Sequence, residues 1–346
     1  MSTSSPLWLK KLAASLISLL VSLLAAELVI RMAGAAPEVS VIRKGRFQLS
    51  RNPKIGYEPV PSLDYRGEEL SFYDYLGRSN NLGYRDVDHA VEKPPGVYRI
   101  VVLGDSIGAG LRVDRYEDVF PSVLERLLRE RGVNAEVINF SVSGYNTQQE
   151  VETLKDRGLA FQPDLVLVAY SLNDRERMDG DILKTLLDAE RSHGTSAARV
   201  NPYLVRSALY RFCKYRVMVP PPAQAEAASE QQLAALSGDT VADSFAELAR
   251  ISRKNRFDVL VAVFPRLVRD FQRYRFGDQH RFVADLAERH GFHPLDLLDT
   301  FARCREAADE PIAADNLHPS AYGHRCAAEA MAEAVLREVR PGAPQS

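Results

Sequence analysis

Residues 99–110 read RIVVLGDSIGAG, an apolar run that stops at a serine set among glycines. The run IVVL has no polar alternation, which is typical of a strand buried on both faces of a parallel sheet. Gly104 and Gly108 predict a sharp turn with room beside the Ser106 hydroxyl. Open α/β sheets bind ligands at the carboxyl ends of their strands, so Ser106 is a candidate nucleophile. The motif alone leaves open a second interpretation, in which Ser106 only caps the following helix.

Two further apolar strands are predicted, and each ends in a polar turn. Residues 135–140 have a strand pattern that opens into SVSGYNT, which contains Gly144. Residues 165–169 have another, which ends in YSLND and contains Asn173. Successive strand and helix units predict parallel strands joined by right-handed crossovers, so these turns share one edge of one sheet. We therefore expect Ser106, Gly144 and Asn173 to lie close together.

The spacing of apolar residues predicts helices between and after these strands. They cover 119–131, 148–159, 182–189, 202–217, 241–254, 278–290 and 320–339, and further strands are expected over 257–264 and 293–298. The alternation of strands and helices predicts an α/β fold with a central parallel sheet.

The composition excludes some classes of protein. The 346 residues are 46% hydrophobic, which is enough for a large core. There are 44 Lys and Arg against 46 Asp and Glu, a net charge of -2, so we expect no nucleic-acid partner. Cys213, Cys304 and Cys326 have no short-spaced Cys or His partners, so we expect no metal site. In an oxidising compartment Cys304 and Cys326 can pair, and free buried thiols remain the alternative.

The amino-terminal region contains a long apolar stretch. Residues 12–30 read LAASLISLLVSLLAAELVI, follow Lys10 and Lys11, and are interrupted only by three serines and Glu27. A helix needs about 20 such residues to cross a bilayer. An uncleaved signal anchor, a signal peptide cleaved near 33–35 and a buried soluble helix are all open interpretations. The length favours the anchor, because signal-peptide cores are shorter.

The charges around this stretch bear on its orientation. Lys10 and Lys11 favour a cytoplasmic amino terminus, although Arg31, Arg43 and Lys44 flank the other end. Long domains are translocated largely regardless of flanking charge, so we expect the following domain outside the cytoplasm.

Composition also suggests the domain boundaries. We expect a membrane anchor or signal segment over 1–36, an extended lead-in over 37–96 and the α/β domain over 97–340. An insertion at about 175–240 contains a run of three prolines and has the composition of a linker. It either shapes the substrate cleft or is a surface excursion with no role.

Serine is a weak nucleophile unless a base takes its proton. Asp315 lies three residues before His318, and in a tight turn this spacing can bring the carboxylate to Nδ1 and leave Nε2 for the serine. The alternative is that His318 only caps the helix that follows it. The other histidines lack an acid so placed, and we interpret them as surface or core residues: His89, His193, His280, His290, His293 and His324.

Acyl transfer also needs hydrogen-bond donors for the oxyanion that develops on the substrate. Gly144 can supply an unobstructed backbone N–H, Asn173 a neutral side-chain amide, and Ser106 its own backbone N–H. Each of these residues also has an ordinary interpretation as part of a turn.

Taken in order, GDS at 104–106, SGYN around Gly144, LND at 172–174 and DNLH at 315–318 resemble the four motif blocks of the SGNH (GDSL-type) hydrolases. The resemblance covers about 97–340 without the insertion. It implies a flavodoxin-like three-layer α/β/α fold and ester hydrolysis without a metal or cofactor. The sequence departs from the family at Ser171, where a glycine is common.

The same resemblance implies a role for each site residue. Ser106 is the nucleophile, His318 the base and Asp315 the residue that orients it. Ser106, Gly144 and Asn173 form the oxyanion hole. The glycines of the first block, at 104 and 108, are expected to clear space for the acyl group.

An anchor followed by such a domain resembles membrane-tethered bacterial members associated with cell-surface glycans. That resemblance implies a single-pass protein of the bacterial inner membrane, held through residues 12–30, with its catalytic domain facing the periplasm or the cell exterior. The implied activity is a serine esterase acting on O-acyl, above all O-acetyl, esters of a glycan or lipid. An O-acyltransferase on a cell-surface polysaccharide and an inactive glycan-binding or assembly protein are the alternatives.

GDSIG at 104–108 also fits the G-x-S-x-G elbow of α/β-hydrolases. In that fold several strands precede the elbow and the acid lies on a separate loop. Here Ser106 follows the first predicted core strand and Asp315 adjoins His318, so the SGNH resemblance fits better.

Overall fold

The computed structural model describes residues 7–36, 47–63, 79–174, 204, 207–213, 240–307 and 310–339. The chain divides into two compact units. The first combines Met1–Gly45 with Lys184–Gln231, and the second combines Arg46–Leu183 with Gln232–Ser346. Most of the expected insertion, including the helix predicted over 182–189, lies outside the described residues.

Strands and helices follow one another along the described chain. In order, they are α1 (Leu7–Met32), β1 (Phe47–Leu49), β2 (Tyr57–Pro59), β3 (Tyr98–Gly104), α2 (Phe120–Glu130), β4 (Ala135–Asn139), α3 (Thr147–Asp156), β5 (Leu165–Ser171), α4 (Ala208–Phe212), α5 (Val241–Asn255), β6 (Asp258–Phe264), α6 (Gly277–Arg289), β7 (His293–Asp296), α7 (Leu298–Ala307) and α8 (Ala321–Ala334). A short π-helical turn, Val335–Val339, continues α8.

The second unit is built on a five-stranded parallel sheet with the order β4-β3-β5-β6-β7. Alternate residues of each strand point to opposite faces. One face of β3, with Ile100 and Val102, packs with α2, α7 and α8 in a single apolar cluster. The helices α3, α5 and α6 pack against one another instead. The predicted three-layer α/β/α fold is confirmed, and its strand order is the flavodoxin-like one.

This strand order creates a switch point between β3 and β5. The chain moves from β3 to β4 on one side and then returns to β5 on the other side of β3. Ligands of open α/β sheets bind at such a point, beyond the carboxyl ends of the two strands. Ser106 follows β3 and Asn173 follows β5, so the topology alone brings these two residues together.

The lead-in contributes to the core of the second unit. β1 and β2 form an antiparallel pair, and Tyr57 at its end is fully buried. The Tyr57 hydroxyl donates to the carbonyl of Ser143 over 2.9 Å, and the Tyr145 hydroxyl donates to the carbonyl of Tyr57 over 2.6 Å. The lead-in is therefore hydrogen-bonded to the loop that carries Gly144 and stabilises it. Of the extended lead-in expected over 37–96, residues 37–46 and 64–78 lie outside the described residues.

The prediction is least accurate after β6. The extended piece expected over 293–298 ends at Asp296, because Leu298 begins α7, which the sequence analysis did not predict. The Asp296 carboxylate accepts the Leu298 N–H over 2.9 Å and so initiates that helix.

A disulfide joins Cys304 of α7 to Cys326 of α8, with 6.5 Å between their Cα atoms. Of the alternatives left open by the sequence, the bonded pair is the one found. The bond ties two helices of the same layer across 22 residues of sequence. Cys213 is a free thiol.

In the first unit, α1 contains a candidate membrane span. Lys10–Met32 has 23 residues and a mean hydropathy of 2.3, and none of this stretch is buried within the protein. A helix of this length and composition can cross a bilayer, and a signal sequence has the same properties.

Candidate active site

The turn after β3 is held by Asp105, not by the serine. One Asp105 carboxylate oxygen, Oδ1, accepts the Ile107 N–H over 2.8 Å, which is the bond a capping side chain makes. The Ser106 carbonyl accepts the Leu111 N–H over 2.9 Å. The capping interpretation of Ser106 is wrong, because no described helix begins at this turn and the Ser106 hydroxyl has another partner.

That partner is His318. The Ser106 Oγ lies 2.9 Å from His318 Nε2, although 212 residues separate them in the sequence. On the other side of the ring, His318 Nδ1 lies 2.8 Å from Asp315 Oδ2 and 3.0 Å from Oδ1. This is the geometry in which an imidazole can take a serine proton while a carboxylate holds its tautomer.

Asp315 also shapes the turn on which His318 stands. Its Oδ1 accepts the backbone N–H groups of Leu317 and His318 over 2.9 and 2.7 Å. Burial alone would raise the pKa of Asp315, but these N–H groups and the His318 ring outweigh burial and lower that pKa. The carboxylate is therefore ionised at neutral pH and remains a hydrogen-bond acceptor for His318.

Two arginines that the sequence analysis did not select support this arrangement. The Arg112 Nε lies 3.5 Å from Asp315 Oδ2, and Arg112 has a left-handed backbone with φ of 72°. The guanidinium of Arg85 donates to the carbonyls of Gly110 and Val113 over 2.6 and 2.7 Å, which holds the far end of the serine loop. Neither residue belongs to a recognisable motif, so only the folded chain reveals them.

Asn173 is placed by two neighbours. Its Nδ2 donates to Asp105 Oδ2 over 3.2 Å, and its Oδ1 accepts the hydroxyl of Ser171. An amide nitrogen carries two hydrogens, so one can bond Asp105 while the other faces a substrate oxygen. Ser171 bonds the amide oxygen, and this contact determines which end of the amide faces Asp105.

Gly144 lies in the loop after β4, at the same edge of the sheet. Its φ of 82° is in the left-handed region, which favours glycine. The structure therefore brings Ser106, His318, Asp315 and Asn173 into one bonded network and carries Gly144 on the adjacent strand's loop. The role of Gly144 as an oxyanion donor stays a prediction.

A family model described as the GDSL-like lipase/acylhydrolase family matches residues 102–326, which include every residue of this network. The chain belongs to this family. The match confirms the resemblance drawn from the four motif blocks.

Individual relatives of the GDSL-like chain are more distant. An arylesterase from Vibrio mimicus is 38% identical over 76 residues, which cover 22% of this chain and 38% of that esterase. Among solved structures, an acetyl xylan esterase is 18% identical with a TM-score of 0.42, covering 68% of this chain and 99% of its own. A two-domain esterase active on acetylated mannans is 13% identical with a TM-score of 0.42, covering 68% of this chain and 48% of its own.

The expectation that the glycines of the GDSL-like block clear space for an acyl group is wrong. A Cβ on Gly108 would lie 2.6 Å from the Cβ of Ser141, and one on Gly104 would lie 3.0 Å from the Ser141 Oγ. These glycines therefore give room to Ser141, which follows the neighbouring strand β4.

Three carboxyl groups are fully enclosed near the serine loop of this GDSL-like domain. Burial raises the pKa of Asp105, and burial together with the charge of Asp105 raises the pKa of Glu150 well above its usual range. Burial and its two acidic neighbours do the same for Asp174. Among the described residues, neither Glu150 oxygen has a hydrogen-bond partner. Enclosure therefore favours the neutral, protonated forms of Glu150 and Asp174.

We expect Glu150→Gln to weaken the pH dependence of stability. A raised folded pKa contributes stability below the ordinary carboxyl range, and this contribution is lost as pH rises toward the folded pKa, because the unfolded chain releases the proton first. For each proton that the folded chain keeps and the unfolded chain releases, the free energy of unfolding falls by about 1.4 kcal/mol per pH unit. Urea unfolding from pH 5 to 8 measures the slope. The exposed Glu329→Gln is the matched control, and equal slopes for the two variants would contradict the prediction.

We expect Asn173→Ala to lower kcat for ester hydrolysis by about 10²- to 10³-fold, the usual effect of removing one oxyanion donor. Ser171→Ala leaves the amide in place but removes the bond that orients it, so the expected loss is about tenfold in kcat with KM little changed. Steady-state kinetics on a short acyl ester measures both. A Ser171→Ala enzyme that lost affinity and kept kcat would show that Ser171 contacts substrate instead.

Two of the other histidines have acidic partners. His89 bonds Asp86 and Glu136 over 3.1 and 2.8 Å, and these bonds outweigh burial and raise the pKa of His89 to about 9. His280 lies between Asp296 and the Tyr274 hydroxyl, at 2.7 and 2.8 Å. The contacts of His89 and His280 with their acidic partners are not evident from the sequence. Neither imidazole contacts a serine among the contacts described. His193 lies outside the described residues.

Proposed function

We propose that this protein is a serine esterase that hydrolyses O-acyl esters, with acetyl as the preferred group, on a glycan or lipid outside the cytoplasm. The observation that carries the proposal is the chain of contacts from Ser106 through His318 to Asp315, set in a GDSL-like domain. A serine, a base and an orienting acid in this geometry are the parts that acyl transfer requires.

In the proposed first half-reaction, the Ser106 Oγ attacks the ester carbonyl as its proton passes to His318 Nε2. Asp315 stabilises the imidazolium through Nδ1. The negative charge that develops on the carbonyl oxygen is stabilised by the Ser106 and Gly144 backbone N–H groups and by the second N–H of Asn173. When the tetrahedral intermediate collapses, the C–O bond to the alcohol breaks and His318 returns the proton to the departing oxygen.

In the second half-reaction, water attacks the acyl-Ser106 carbonyl and gives its proton to His318. The same donors stabilise the new oxyanion, and collapse releases the carboxylic acid as Ser106 Oγ regains the proton. No step requires a metal ion or a cofactor. If a sugar hydroxyl replaces water in this half-reaction, the same residues transfer the acyl group.

Three features support the location and the substrate class. The Cys304–Cys326 disulfide is of the kind that persists in oxidising compartments, and the apolar α1 suits a membrane anchor. Ser106 is only 8% exposed, which favours a small acyl group over a long chain. Together they support short acyl esters on envelope polymers or lipids.

The test uses the full chain in lipid nanodiscs. A fluorophosphonate probe is expected to label Ser106, as located by peptide mass spectrometry, and p-nitrophenyl acetate is expected to be hydrolysed faster than longer acyl esters. Acetylated oligosaccharides with and without an unacetylated acceptor separate the outcomes, because hydrolysis releases acetate whereas transfer acetylates the acceptor. A folded protein with neither labelling nor turnover would overturn the proposal in favour of a binding role.

A further inference from the structure

The span in the first unit contains one acidic residue, and that residue is bonded to the insertion. On α1, Glu27 accepts hydrogen bonds from the Ser207 hydroxyl and from the backbone N–H groups of Ala208 and Leu209, over 2.7, 2.8 and 2.7 Å. Its carboxylate also pairs with Arg31 at 2.6 Å. The start of α4 is therefore fixed directly against α1.

The position of Glu27 places α4 at a particular depth. From position 27 to the end of α1 at Met32 is five residues, or about 7.5 Å along a helix axis. The span Lys10–Met32 is 23 residues long, slightly more than a hydrocarbon core requires. If Met32 marks the end of the span, Glu27 lies about 7.5 Å inside that end, in the outer part of the acyl-chain region next to the headgroups. The groups that donate to its carboxylate must lie at the same level.

A carboxylate at this depth is costly unless it is paired and hydrogen-bonded. Arg31 supplies the opposite charge, and the start of α4 supplies three donors. These contacts explain how an acidic residue is tolerated in an otherwise apolar helix. They also give the insertion a defined partner on the amino-terminal segment.

The described part of the insertion has the composition of a membrane-interface segment. Residues 207–213 read SALYRFC, with an aromatic pair, one arginine and no acidic residue. Ala208 is buried, whereas Tyr210, Arg211 and Phe212 are partly exposed, and Leu204 just before them is 48% exposed. Tyrosine, phenylalanine and arginine suit the interface because each has an apolar body and can meet polar headgroups or acyl chains.

We propose that Leu204 and residues 207–213 form a second membrane contact, seated in the headgroup boundary of a lipid bilayer beside the distal end of α1. This described part of the insertion is then a membrane contact, and neither a wall of the substrate cleft nor a surface excursion with no role. The contact also requires that α1 is retained, because cleavage near 33–35 would remove Glu27. This inference goes beyond the proposed catalysis and does not depend on it.

The test uses tryptophan quenching by lipids brominated near the headgroup end of the acyl chain. The full chain is reconstituted into nanodiscs of phosphatidylethanolamine and phosphatidylglycerol. Trp8 is the sole tryptophan of the chain and lies on α1, so in the wild type it reports insertion of the anchor. In a Trp8→Phe background, Phe212→Trp places a tryptophan in the inserted segment at 207–213 and reports on its contact with lipid. Phe271→Trp places the matched reporter in the second unit.

We expect Trp8 and Phe212→Trp to lose about twofold or more of their emission in brominated nanodiscs, and Phe271→Trp to change little. Glu27→Gln, which removes the charge that holds α4, is expected to reduce quenching at position 212 and leave Trp8 unaffected. Quenching at Trp8 with none at position 212 would overturn the proposal and show that protein or water covers this face. An unquenched Trp8 would overturn the anchor as well.

Discussion

Ser106→Ala is expected to lower kcat/KM for a short acyl ester by about 10⁵-fold. The Ser106 Oγ lies 2.9 Å from His318 Nε2 and has the position of the attacking atom in the proposed reaction. Alanine removes that atom, and the remaining oxyanion donors can only assist direct attack by water. Fluorophosphonate labelling should disappear with the activity.

The fold should survive this substitution. Ser106 is small and its turn is capped by Asp105, so thermal unfolding of the variant should match that of the wild type. Ser252→Ala on α5 is a matched control, since the Ser252 hydroxyl bonds only a carbonyl of its own helix among the contacts described, that of Ala249. A Ser106→Ala enzyme that kept activity within about tenfold of wild type would assign the nucleophile elsewhere.

Asp315→Asn is expected to lower kcat/KM by about 10³- to 10⁴-fold. The asparagine oxygen can still accept backbone N–H groups, as the Asp315 carboxylate does from Leu317 and His318. Its NH₂ would face His318 Nδ1, however, and would favour the tautomer whose proton sits on Nε2. That tautomer cannot take the proton of Ser106. The N–H donors and the His318 ring lower the pKa of Asp315, so this carboxylate stays ionised from pH 6 to 8. The ratio of wild-type to variant kcat/KM should therefore stay the same across that range.

Steady-state kinetics across that pH range, with thermal unfolding in parallel, checks this second prediction. The exposed Asp299→Asn at the start of α7 is the matched control and should leave both measurements unchanged. A loss of activity confined to a narrow pH interval would indicate that Asp315 titrates during catalysis and does not simply orient His318.

Much of this site could be predicted from short stretches of sequence. The run before Ser106, the turns that hold Gly144 and Asn173, and the spacing of Asp315 and His318 are all local patterns. A short apolar run with no alternation is typical of a central strand buried on both faces, and parallel strands return to the same edge. These two constraints were sufficient to bring distant residues to one place.

The errors have physical causes of a different kind. The space beside Gly108 was assigned to an acyl group, but the Ser141 side chain from the neighbouring strand fills it. Arg112 contacts a carboxylate and Arg85 contacts backbone carbonyls, both far away in the sequence, and such contacts leave no pattern in a sequence. The helix α7 was missed because its start depends on the Asp296 side chain.

The sequence by itself determined the fold class, the family and the order of the motif blocks, because strand burial and turn chemistry depend on neighbouring residues. Beyond the turns at the carboxyl edge of the sheet, only the tertiary structure decided which residues meet across the chain. It joined Cys304 to Cys326, enclosed Glu150 with other acids, set Ser171 against Asn173 and bonded Glu27 to the insertion. Each of these depends on the packing of segments far apart in sequence, where burial, and not local propensity, determines the partner.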